Sequence, residues 1–69
     1  MSIAHRSLER MTLEAIILDE VISQMLFEFT RSCRELGQDE AGAMALKLSR
    51  SHRVKALELR GRLAALTER

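Results

Sequence analysis

The sequence predicts an all-α chain folded as a two-helix antiparallel hairpin, and three observations carry that expectation. The 69 residues contain no proline and three glycines, and they are rich in Leu, Ala, Glu, Arg and Met, which lose little on entering a helix. Between residues 8 and 36 the apolar positions step by three and four with no glycine to interrupt them. Gly37, followed at once by Asp39 and Glu40, then stands where one helix stops and another starts.

Residues 1–6 are expected to be a disordered N-terminal segment of a single domain spanning 1–69. Ser7 reads as the N-cap of a first helix over residues 8–36, with Glu9 near the positive end of the helix dipole. The β-branched cluster AIILDEVI does not make this stretch a strand, because the periodic run is far too long. Gly37 supplies a left-handed C-terminal cap, and Asp39 caps a second helix over 39–67. A turn at 37–39 is short enough to leave the arms antiparallel neighbours, each roughly 40–45 Å long at 1.5 Å rise. The longest uncharged run, residues 21–27, is far short of the ~20 residues that cross a bilayer. The opening MSIAHRSLER lacks the apolar centre of a secretory signal. A cytoplasmic setting without membrane contact is the expectation.

Which faces meet is read from the stripes. Leu8, Met11, Ala15, Leu18, Ile22, Met25, Phe29, Ser32 and Leu36 form an unbroken a/d pattern, expected to face the partner arm. Leu13, Ile16, Ile17 and Phe27 fall roughly opposite. In the second helix one stripe runs Ala41, Ala45, Leu48, His52, Ala56, Leu59, Leu63, Leu66. Another runs Ala43, Leu46, Arg50, Val54, Leu57, Gly61, Ala64, whose small members suit close approach of a further helix. A lone hairpin covers one stripe per arm and leaves more apolar surface wet than soluble monomers usually show. A core of this size provides roughly 3–5 kcal/mol, and the single cysteine, Cys33, excludes a disulfide framework. The chain is therefore expected to form a homodimer, most simply a four-helix bundle, or an obligate complex with a helical protein. The face assigned to that contact is Leu13, Ile16, Ile17, Phe27, Leu46, Val54, Leu57 and Gly61.

Net charge is only +1, but SRSHRVKALELRGR is a dense basic run. At 100° per residue its cations, with Lys47 just before it, spread: Arg53 and Arg60 share a side, Arg50 falls in the second apolar stripe, and Lys47, Lys55 and Arg62 lie beyond it. Folding about Gln38 sets residue i opposite about 76 − i, which brings Glu14 to Arg62, Glu20 to Lys55 or Arg53, and Glu28 to Lys47 or Arg50. A solvated, internally answered flank is the plain reading. The alternative is a dimeric nucleic-acid-binding regulator using Arg50, Arg53 and Arg60. A helix-turn-helix reading of QDEAGAMALKLSRSHRVKALE fails, since Lys47 stands where the turn glycine belongs. In length and hairpin layout the chain resembles the Rop-type dimeric hairpins, which bind paired RNA loops. That resemblance implies a four-helix dimer and transfers no residues.

No chemistry is signalled. His52, in a stripe of Ala and Leu, reads as a polar layer facing Gln24, with a metal ligand or pH switch as the sharper alternative. His5 has no spacing partner, and no ExxH or HxxxH pattern occurs. Cys33 reads as a buried small hydrophobe. Asp19 and Glu20 diverge on a helix, and no phosphate loop or nucleophile motif is present. The expectation is a small interaction protein, an adaptor, co-chaperone or regulatory subunit. It is expected to be neither an enzyme nor a holder of metal or cofactor.

Overall fold

The computed structural model describes residues 2–68. Two helices, α1 (Ile3–Glu35) and α2 (Asp39–Thr67), pack against each other as a narrow antiparallel rod of 53 × 15 × 11 Å. Neither helix is long and apolar enough to cross a membrane.

Helix α1 starts earlier than its periodicity implies. Ser2, not Ser7, is the N-cap: its backbone is extended and its Oγ accepts from the His5 amide at 3.0 Å. Residues 3–6, expected to be disordered, are thereby in the first turns, whereas Met1 lies outside the described residues. His5 fastens this end to the last turn of α2 by donating from Nε2 to the Leu66 carbonyl at 2.8 Å. That contact spans most of the chain, so no local pattern announces it.

Gly37 closes α1 as expected, with φ of 73° and the hydrogen bonds of a Schellman cap. The Gln38 amide donates to the Cys33 carbonyl at 2.8 Å and the Gly37 amide to the Arg34 carbonyl at 3.1 Å. The turn therefore occupies residues 36–38, one residue earlier than anticipated. Gln38 takes the N-cap position of α2 without a side-chain bond, while Asp39 and Glu40 sit in the first turn, against the positive end of the dipole.

The seam between the helices is not the strongest apolar stripe. From α1 it takes His5, Glu9, Thr12, Ile16, Asp19, Ser23, Leu26, Thr30 and Cys33; from α2 it takes Gly42, Ala45, Ser49, His52, Ala56, Leu59, Leu63 and Leu66. Both sets alternate steps of three and four, so each is a heptad seam in its own right. Among the described residues only Ile16, Cys33, Ala45 and Ala56 are buried apolar residues; Asp19, Ser23, Thr30 and Ser49 are buried beside them. The stripe from Leu8 to Leu36 that was expected to fill this seam lies about a quarter-turn away, with Met11 63 % and Leu18 60 % exposed. In α2 the expected stripe is largely right, with Gly42 and Ser49 replacing Ala41 and Leu48.

Small side chains and reciprocal hydrogen bonds explain the choice. Ser23 Oγ donates to the Ser49 carbonyl at 2.8 Å and Ser49 Oγ to the Ser23 carbonyl at 2.7 Å, which requires the two backbones to lie close. Near the turn, a Cβ on Gly42 would stand 3.3 Å from the Cys33 Cβ and 3.5 Å from the Thr30 carbonyl oxygen. Gly42 is thus the glycine that permits close packing within the hairpin. The register follows from these contacts: Asp19 faces His52 and Ser23 faces Ser49, not Leu57 and Arg53 as folding about Gln38 implies.

Candidate interaction surfaces

The middle of the seam holds the chain's most chemistry-rich cluster. His52 Nδ1 lies 2.8 Å from Asp19 Oδ1, so the polar layer expected around His52 exists, with Asp19 as its partner in place of Gln24. One turn along, both serine hydroxyl protons are committed to main-chain carbonyls. Neither serine is therefore aligned as a nucleophile toward the imidazole, and the cluster reads as a register-setting layer. Among the described residues no three His, Cys, Asp or Glu side chains come together as a metal site. Cys33 is buried at the seam beside Gly42, as expected of a small hydrophobe.

Because the seam is narrow, the long side chains are displaced to the two flanks of the hairpin. In an antiparallel pair, residues about a quarter-turn around from the seam on α1 share a flank with their counterparts on α2, and i+7 returns to the same face. One flank carries the intact heptad stripe of α1. Leu8, Met11, Leu18, Met25, Phe29 and Leu36 are all exposed there. At the turn end α2 extends the patch with Ala41, Met44 and Leu48, all exposed. Farther along, α2 contributes Lys55, Glu58 and Arg62 to this side.

The opposite flank is different in kind. Arg60 reaches Glu20 across the helices, with Nε at 3.0 Å from Oε2, which marks these two residues as sharing a side. Glu20, Gln24, Arg53 and Leu57 line one shallow depression on that side, and Arg6, Arg10, Leu13, Leu63 and Thr67 line another. By the seven-residue repeat, Arg31 and Arg34 of α1 and Arg50 of α2 complete the flank. Three carboxylates accompany these arginines: Glu20, the half-buried Glu9 and, at the turn, Asp39.

The residues assigned from sequence to a partner face are dispersed. Ile16 is 1 % exposed and belongs to the hairpin's own seam; its place between two stripes made it look free. Leu13, Ile17, Phe27 and Leu57 are exposed on the arginine flank, Leu46 is half-buried, and Val54 and Gly61 lie on the outer edge of α2. A Cβ at Gly61 would meet nothing within 4 Å. Arg50, Arg53 and Arg60, by contrast, are brought together, and with four arginines from α1 that the basic run in the sequence does not include. The expected pairs Glu14 with Arg62 and Glu28 with Lys47 or Arg50 are absent among the described residues. The one carboxylate–arginine bridge there joins Glu20 to Arg60. The missed signal was available: the two seams, once aligned, put seven of the eight described arginines on one side.

No family model, curated protein or solved structure matches the chain.

Proposed function

We propose that the chain is a helical interaction module that self-associates through the Leu8–Leu36 flank and acts by protein–protein contact, as an adaptor, co-chaperone or regulatory subunit does. The observation that carries this reading is the exposed heptad stripe on α1. A sequence that keeps apolar residues at eight of nine a/d-type positions while its own hairpin buries a polar stripe has reserved that face for another helix surface. Full burial of a Leu, Met or Phe is worth roughly 1.5–3 kcal/mol, so covering half-exposed side chains yields about 1 kcal/mol each. Eight such side chains from each of two copies outweigh the lower estimates of association cost, about 4–15 kcal/mol.

A second copy is the occupant that charge favours. A two-fold interface brings the same patch of both subunits together. On the arginine flank that arrangement sets seven guanidinium groups against seven; on the apolar flank it meets, among the described residues, only Lys55, Glu58 and Arg62, which include both signs. Face-to-face packing of two apolar flanks is a four-helix bundle. Sedimentation velocity on two double variants tests the assignment. Leu18→Asp with Met25→Asp yields a helical monomer, whereas Ile17→Asp with Leu57→Asp, on the other flank, leaves the dimer intact. An unaltered chain that stays monomeric at micromolar concentration overturns self-association, and dispersal by the second pair alone moves the interface to the arginine flank.

A further inference from the structure

A net charge of +1 conceals a strongly polarised molecule. The arginine flank holds seven cations against three carboxylates, and the rest of the described chain holds three cations against seven carboxylates. The cations on this flank are without exception arginine; Lys47 and Lys55 both lie elsewhere. Two of seven heptad positions on each helix are enough to collect nearly all the described arginines, a bias that general solubility does not demand. Arginine rather than lysine is the side chain whose planar fork pairs bidentately with phosphate.

We propose that this flank binds the phosphate backbone of double-stranded nucleic acid. From Arg6 to Arg34 the arginines extend along α1 for about 42 Å at 1.5 Å rise, a straight run equal to about twelve base pairs at 3.4 Å per step. Arg53 and Arg50 of α2 fill the middle of that run, where α1 offers Glu20 and Gln24. The apolar side chains on the flank, Leu13, Ile17, Phe27 and Leu57, are interleaved with the arginines and form no continuous stripe, so a helix seeking a groove finds a better one on the other side. The chain has no tryptophan or tyrosine, and Phe27 alone offers no stacking platform for a single strand. Backbone contact with a preformed duplex, without base reading, is what this array supports. The binding does not depend on the dimer. In the four-helix bundle proposed above, one such flank faces outward on each side.

Among the described residues the side chains of Arg50 and Arg53 make no ion pair or hydrogen bond, so they are free to reach phosphate. Arg60 is held by Glu20. With about five phosphate contacts the affinity falls with a log–log salt slope near −4.5, or roughly 500-fold between about 50 and 200 mM salt. Fluorescence anisotropy with labelled DNA and RNA duplexes of about 16 base pairs and unrelated sequence measures this, the two arms showing which duplex is preferred. Arg50→Ala with Arg53→Ala flattens the slope by about 2, while Lys47→Ala with Lys55→Ala, off the flank, alters it little. Glu20→Gln frees Arg60 and tightens binding about 3–10-fold. Circular dichroism confirms that each variant remains helical.

Failure of both duplexes to bind at about 50 mM salt overturns the proposal. So does equal loss in the lysine and arginine variants, or preferential binding to single strands or to anionic phosphatidylserine vesicles. Binding that persists in the monomeric Leu18→Asp, Met25→Asp variant separates this flank from the dimer interface.

Discussion

Replacing Ser23 by leucine asks directly which stripe of α1 faces α2. In the structure Ser23 is buried, its hydroxyl bonded to the Ser49 carbonyl at 2.8 Å across a seam of small side chains. Leucine removes that bond, worth about 1 kcal/mol, and forces extra carbon atoms into a close-packed contact, which costs about 1–3 kcal/mol. The total, about 2–4 kcal/mol, is most of what a core of this size supplies. Unfolding entropy near 2.1 cal/mol/K per residue gives about 0.15 kcal/mol/K for the chain, so 2 kcal/mol lowers Tm by about 14 °C. Were the Leu8–Leu36 stripe the seam, position 23 would face solvent. There leucine, a better helix former than serine, raises stability by a few tenths of a kcal/mol. The two arrangements therefore differ in the sign of the effect. Thermal melts by circular dichroism, run in the Leu18→Asp, Met25→Asp background so that association does not contribute, read that sign. An unchanged or raised Tm refutes the polar seam.

Two further outcomes follow from the same geometry. Gly37→Ala places a side chain at φ of 73° and costs about 1–2 kcal/mol; Gly61→Ala, in open space inside a helix, adds about 1 kcal/mol, so the two glycine variants move the melting temperature in opposite directions. Cys33, buried against Gly42, reacts with a thiol reagent only through opening of the hairpin. At about 3 kcal/mol of stability, labelling is slower than in denaturant by roughly a hundredfold, and equal rates in both conditions place the thiol outside the seam.

Local chemistry is what the sequence declares by itself. Gly37 needed no tertiary partner to end α1, because a left-handed residue closing a Schellman cap is decided within six residues of chain. Absence of proline and the long apolar periodicity similarly dictate two helices joined by a short turn, and that turn makes them antiparallel. The identity of the seam was legible in principle, since His5 to Cys33 repeats by heptads as strictly as Leu8 to Leu36 does. It was masked because periodicity arguments weigh hydrophobicity, and only three of the nine residues in the winning stripe, Ile16, Leu26 and Cys33, are apolar. Only the packed pair shows why it wins: reciprocal Ser23 and Ser49 bonds and the Asp19–His52 contact satisfy those groups at a separation that large apolar side chains would forbid.

Everything functional shifts with that rotation of about a quarter-turn. Leucine and methionine at the presumed core become an exposed flank, Ile16 leaves the presumed docking face for the interior, and arginines from segments far apart in sequence, Arg6 and Arg60 among them, come to share one side. Helix formation is a matter of neighbouring residues, and so could be read along the chain. Which sides of two helices touch is decided by contacts between residues up to 61 positions apart, and those existed only once the chain had folded.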